Sequence, residues 1–268
     1  MSNVVKKEEA GLPAELMDDI MSTAGMGVDY DTSELQIPFI RVIQALSPQI
    51  KKSDPAFIEG ASQSDVFNTV TGQFWSGEDG ITVIPCFQET KYLEFIPLDQ
   101  GGGFVGERAV TDPDLANTER NGAKEILPNG NELVKSDQHY CIVIGEDGMH
   151  QPAIVDMKST QLKVSRRWKT QIAMQKVKDA KGQMRTPALF ATMWKLSTTE
   201  ESNQMGTWYN WQVEKVGFVQ DKALFDEAKS FRESIAKGEV KAAADPEIKK
   251  TDLKDDDTDD LKDDDIPF

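Results

Sequence analysis

The stretch that decides the fold is HYCIVIGEDGMHQPAIVDMKSTQLKVSRRWKTQIAMQKVK, residues 139–178. It opens on two apolar runs and then changes period. His139 to Ile144 is short, rich in branched side chains and bounded by glycine, so it reads as a buried strand. Pro152 to Met157 is a second such run, joined to the first around Gly145–Gly148. From Ser159 the spacing becomes helical: Leu162, Ser165, Trp168 and Ile172 line one face, while Lys163, Arg166, Arg167, Lys169 and Thr170 spread over the rest. Ser159 is the expected N-cap, the helix is expected over 160–178, and Lys181-Gly182 ends it.

Downstream, Ala188 to Ser197 reads as a strand with apolar residues on both faces, and Gly206 to Val219 as the last strand. Leu224 to Ala236 is a closing amphipathic helix that stops at Gly238. Upstream, Ile81–Phe87 and Tyr92–Ile96 are expected to be two strands around a turn at Gln88–Thr90, with Pro85 marking an edge or a bulge. Residues 98–137 read mostly as loop. Gly101, Gly103 and Gly106 spell GxGxxG, but Thr111-Asp112-Pro113-Asp114 opposes the helix that a dinucleotide site needs, so no cofactor is expected. Residues 35–50 read as an apolar helix from about Pro38, with Phe39, Val42, Ile43 and Leu46 facing a core. A short amphipathic helix is expected over Pro13–Thr23. The fold class is therefore mainly β with flanking helices (α+β). The order fits an oligonucleotide-binding (OB)-like five-stranded barrel with a helix between strands 3 and 4. The expected organisation is a mobile acidic segment at 1–34, the barrel domain at 35–240 and a disordered acidic tail at 241–268.

The net charge of −16 hides a strong asymmetry. Residues 158–195 carry ten bases (Lys158, Lys163, Arg166, Arg167, Lys169, Lys176, Lys178, Lys181, Arg185 and Lys195) against one acid, Asp179. A phosphate-binding surface depends on local potential, not on the mean. Aromatic residues interleave with this block: Trp168, Phe190 and Trp194, then Trp208 and Tyr209. Binders of unpaired nucleic acid combine cations for the phosphates with rings that stack on exposed bases. Trp208 shares its face with Asn210 and Gln212 and is the favoured platform, with Trp194 as a second candidate. Trp211, Tyr209 and Phe190 fit a core better, Trp168 reads as helix packing, and Tyr92, Phe95 and Phe104 cannot be separated from core. The expected DNA-contacting set is Lys158, Lys163, Arg166, Arg167, Lys169, Lys176, Arg185, Trp194, Lys195 and Trp208.

Enzyme chemistry is not expected. No Walker loop, zinc-hydrolase motif or nucleophile elbow occurs, and the loop acids Asp112 and Asp114 read as solvated. Cys86 and Cys141 are distant and sit in apolar runs, which fits two buried thiols in a reducing cytoplasm and no structural zinc. The chain has no stretch approaching the ~20 apolar residues of a membrane span, and Met1-Ser2-Asn3 does not open a signal peptide.

The chain ends Asp263-Asp264-Asp265-Ile266-Pro267-Phe268. Acids can steer this tip to a basic surface, Ile266 and Phe268 can fill an apolar pocket, and Pro267 lowers the entropy lost on docking. The tip resembles the C-terminal tip of bacterial single-stranded-DNA-binding proteins, which implies recruitment of replication and repair partners. The runs Ser159–Trp168 and Gly206–Trp211 resemble bacteriophage single-stranded-DNA-binding proteins, a likeness spanning about residues 35–240. That resemblance implies an OB fold, binding of single-stranded DNA without sequence preference, and a tail that occupies the DNA groove when DNA is absent. It does not carry over the tetramer of the cellular family, and homo-oligomerisation stays open. The expected partners are single-stranded DNA and replication or recombination proteins of phage or host, in the cytoplasm of a bacterial cell. Two alternatives are a single-strand annealing protein and a decoy that displays the tip without binding DNA.

Overall fold

The computed structural model describes residues 13–24, 26–27, 36–122, 124–145, 148–204 and 206–242. The acidic tip, Asp263 to Phe268, and most of the 1–34 segment lie outside them. The elements in order are α1 (Ala14–Ser22), β1 (Gln36–Ile37), β2 (Phe39–Val42), β3 (Val66–Asn68), β4 (Phe74–Trp75), β5 (Ile81–Ile96), β6 (Gly103–Arg108), β7 (Glu119–Asn121), β8 (Lys124–Ile126), β9 (Glu132–Ile144) and β10 (His150–Lys158). They continue with α2 (Leu162–Ala173), β11 (Val177–Lys178), β12 (Met184–Arg185), β13 (Thr192–Asn203), β14 (Gly206–Phe218), α3 (Lys222–Ala236) and β15 (Lys241–Ala242).

The described chain forms two compact units, one from residues before 91 and after 135, the other from 91–135. In the first unit the strands follow the order β14-β13-β5-β9-β10-β2-β3-β4, a mainly β sheet curled into a half-barrel. One side of it holds Ile40, Val83, Cys141, Val155, Trp194 and Trp211, and Trp168 of α2 packs into the same cluster. The alternate residues of the same strands, Phe39, Ile84, Tyr140, Ile142 and Ile154, face the other way, into two clusters that α3 helps to build with Leu224, Ala228 and Phe231. Both faces of the central strands are therefore buried, which is why their sequences read as continuous apolar runs. Asp221 caps α3, its carboxylate accepting the Leu224 N–H at 2.9 Å. The turn before β5 fits closely against β13: a Cβ on Gly80, at φ +64°, would sit 2.2 Å from the Leu196 carbonyl oxygen.

Several expectations are corrected. Residues 39–42 are not helical. They form β2, buried at every position and paired in parallel with β10 through Ile154 and Val155. Phe39, Val42 and Ile43 are core, but Leu46 is 81% exposed. Ile81 to Ile96 is one long strand with no turn, and its pairing with β13 ends at Val83, short of Pro85. Ser159 does not cap α2. Its φ of +49° starts a 3₁₀ turn, and the helix ends at Ala173, not 178.

The second unit replaces the expected loop. The 91–96 end of β5 pairs with β6, which begins at Gly103 and contains Gly106, and β7 and β8 form a hairpin that joins the start of β9. Its centre is the buried Glu94 carboxylate, which accepts from Arg108 Nε at 2.6 Å and from the Asn129 and Asn131 amides at 2.7 and 2.6 Å. The Arg108 hydrogen bond is the main reason that Glu94 is held at about 2. Arg108 also binds Asp112 at 2.9 Å and Asp114 at 3.2 Å, so these acids close a loop instead of standing in solvent.

Candidate nucleic-acid interface

Helix α2 carries the densest part of the basic block, and its two faces differ. On the inner face Trp168 is wholly buried. Its ring lies 4.6 Å from His139 and meets Trp194 edge-on at 6.2 Å. Beside it, the Asp137 carboxylate accepts from Lys169 Nζ (2.6 Å), Ser165 Oγ (2.7 Å) and Thr90 Oγ1 (2.8 Å). Ser165 gives its only proton to Asp137, so its oxygen must accept from His139 Nε2–H at 2.8 Å, which fixes the imidazole tautomer. Burial pushes His139 down to about 3 and keeps it neutral. Burial works against the charged form of Asp137, but the Lys169, Ser165 and Thr90 hydrogen bonds outweigh it and leave that carboxyl below its usual range.

On the outer face Lys163, Arg166 and Arg167 are exposed. Lys163 reaches Glu201 of β13 at 2.8 Å. Arg166 and Arg167 form no ion pair with any described residue. Past the helix, β11 and β12 make a separate two-stranded hairpin. Asp179 builds its turn, accepting the Lys181 and Gln183 N–H groups at 2.9 Å each and Arg185 Nε at 2.8 Å. With that acid committed, Lys176, Lys178 and Lys181 leave a net positive, exposed hairpin. Lys176 Nζ donates to Thr186 Oγ1 at 2.7 Å.

The structure therefore sorts the ten expected contact residues. Lys163, Arg166 and Arg167 lie on the helix, and Lys176 and Arg185 on the chain that follows it. Three do not fit as expected. Trp194 is 1% exposed and its indole N–H binds Thr192 Oγ1 at 2.9 Å, so it is a core residue with no ring face for a base. Lys158 is bound to Asp156 at 2.7 Å, which Arg41 also contacts at 3.2 Å, and Lys169 is bound to Asp137; both are already committed to internal acids. Trp211 is core, as expected, and Phe190 packs on Phe225 at 5.2 Å. Trp208 is half-buried and donates to Glu201 at 3.2 Å, beside Asn210, which donates to the same oxygen at 3.0 Å. Lys195 lines a neighbouring depression of about 410 Å³ with Tyr209 and Glu214.

A cleft of about 510 Å³ opens between α2 and the β13–β14 hairpin. Lys163, Arg167 and Gln171 come from the helix, Thr199 and Glu201 from β13, and Gln212 and Glu214 from β14. Glu201 and Gln171 were missed in the sequence, since neither is a cation or a ring. The hairpin turn at 203–206 was the available signal, because it sets Glu201 opposite Trp208.

The Cys86 and Cys141 thiols are buried and free, and burial pushes Cys86 up to about 12. Among the described residues no helix is long and apolar enough to cross a membrane. Residues 6–241 match the sequence model of a family described as Pam3 phage gp34-like protein. No curated protein and no solved structure matches the chain.

Proposed function

For this chain, which belongs to the phage gp34-like family, we propose a role as a sequence-nonspecific single-stranded-DNA-binding protein of phage replication and recombination. The observation that carries the reading is the exposed Arg166 and Arg167, which pair with no described acid, followed in the chain by a positive hairpin, in a protein whose net charge is −16. Such a local excess of cations lowers the free energy of a bound phosphate backbone by releasing counterions. Trp208 is the remaining aromatic platform beside this surface. The path β14-β13-β5-β9-β10, with α2 between the third and fourth of these strands in chain order, supports an OB-like core extended by β2, β3 and β4. Asp263 to Phe268 serves as the partner-recruiting tip, and the acidic tail competes with DNA for the basic surface.

The test is intrinsic tryptophan fluorescence titrated with an oligothymidylate across a salt series, for the full chain and for a chain ending at Ala244, with duplex DNA as control. The expected result is quenching by single strands only, tighter without the tail, with a log–log salt slope of about 0.7 per phosphate contact. No binding by either form at low salt overturns the reading and leaves the tip as a decoy.

A further inference from the structure

We infer that the cleft between α2 and the β13–β14 hairpin is a pocket for one unstacked base of a bound single strand, read by the Trp168 indole N–H and the Gln171 carboxamide oxygen. The inference rests on the single-strand reading above and names a subsite within it.

The volume, about 510 Å³, falls in the roughly 300–1,000 Å³ range of small-ligand sites. Val164 and Val213 line it with Trp168 and Trp211, whose rings are buried in the free chain and offer apolar surface to a planar heterocycle only once the wall opens. Polar atoms are also waiting. Trp168 Nε1 and Gln171 Oε1 are buried with no hydrogen-bond partner, and both residues line this cleft. Orphaned buried polar atoms are rare and call for a missing partner. The two residues are three apart on one helix, so their side chains are neighbours. One is a donor and the other an acceptor. Every base presents an acceptor next to a donor on its pairing edge, so one ligand satisfies both atoms and no base is strongly preferred.

Charge selects a neutral ring over an anion. The cleft's ionic residues are Lys163 and Arg167 against Glu201 and Glu214, which sum to zero, and Lys163 is already held by Glu201. An acidic peptide would meet two carboxylates there. Arg167, exposed at the rim, is left for the phosphate of the same nucleotide. Both orphan atoms are closed to water in the free chain, so entry of a base opens the α2 wall locally.

The test measures the affinity of the full chain for an oligothymidylate and for an abasic strand of equal length, in wild type, Gln171→Met and Trp168→Phe. Gln171→Met keeps the volume at a half-buried position and removes the acceptor, so it stays informative if Trp168→Phe folds poorly. The wild type is expected to prefer the base-bearing strand. Each variant is expected to shrink that preference about two- to tenfold, the worth of one hydrogen bond, with abasic affinity unchanged. A preference unchanged in Gln171→Met, or equal losses for both strands, overturns the pocket and leaves the orphan atoms to a resident water. Equal wild-type affinity for the two strands also overturns the pocket while sparing the single-strand reading. Binding to neither strand fells that reading, and the pocket with it.

Discussion

The two faces of α2 carry the same kinds of side chain in opposite states. Lys169, on the inner side, donates to Asp137 at 2.6 Å within a network that also holds Ser165 and His139. Arg166 and Arg167, three and two residues earlier, are exposed and bind no described acid. A cation whose charge is cancelled by a buried carboxylate stabilises the fold and offers little to a phosphate. A cation left in water has the reverse balance. What separates a lysine or arginine committed to the fold from one left available here is the acid that the tertiary fold places beside it, not its place in a basic run.

The sharpest way to break this contrast is through the inner face and pH. His139 is held at about 3 by burial, against about 6.5 for an unfolded histidine. Between these values the unfolded chain binds the extra proton. The stability that His139 contributes is therefore complete above pH 6.5 and is lost as pH falls towards 3, at a limiting slope of about 1.4 kcal/mol per pH unit. Asp137 and Glu94, both depressed, add their losses only near and below the ordinary carboxylate range, beneath the window from pH 6.5 to 5. Urea unfolding across that window should show the slope in wild type and a flatter profile in His139→Phe, which keeps a ring against Trp168. A profile as steep in the variant as in wild type would mean that His139 is not the group being titrated.

How much of this could be read beforehand follows from the range of the interactions. The strands at 139–144, 152–157 and 206–219 and the helix at 224–236 were legible because each declares its own period. Residues 39–46 were misread because Phe39, Val42, Ile43 and Leu46 fall at helical spacing. Yet Ile40 and Arg41 are buried as well, at 0% and 7% exposure, as a strand covered on both faces requires. The deciding partner, β10, lies more than a hundred residues away. The polar run Gln88–Thr90 looked like a turn but is the middle of β5. At the site, the basic block and the role of Trp211 were legible. Trp194 was not, because a strand apolar on both faces does not say which ring is enclosed. Nor was the commitment of Lys169, since Asp137 becomes its neighbour only once β9 and α2 have packed; that of Lys158 could have been read, because Asp156 lies two residues before it on the same face of β10.

A second break compares the faces directly. Arg166→Ala with Arg167→Ala should lower oligothymidylate affinity by about tenfold at low salt. It should also reduce the salt slope by about 1.4, twice the single-strand increment, with unfolding free energy within about 0.5 kcal/mol of wild type. Lys169→Ala should do the opposite, costing about 1–2 kcal/mol of stability by leaving Asp137 short of a partner, with the salt slope unchanged. Equal salt-slope losses in the two experiments would erase the distinction between the faces.

The smallest effect, and the finest test, concerns Lys163, which stands between the two states. It is exposed like Arg166, yet its ammonium lies 2.8 Å from Glu201, whose carboxylate also accepts from Trp208 Nε1 and Asn210 Nδ2. Three donors converging on one anion form the kind of donor set a phosphate oxygen uses, here filled by an internal acid. The Lys163 hydrogen bond, ahead of those from Asn210 and Trp208, holds Glu201 below its usual range, so the carboxylate stays charged near neutral pH and would compete with the proposed strand. Glu201→Gln keeps the shape and removes the charge. It should raise oligothymidylate affinity about two- to threefold at low salt, since an exposed ion pair is worth only about 0–1 kcal/mol, and the gain should vanish when Lys163→Ala is added. A gain that survives in the double variant would place the competing acid on another cation. A loss of affinity on Glu201→Gln would mean that the carboxylate holds Lys163 and Trp208 in place for the strand.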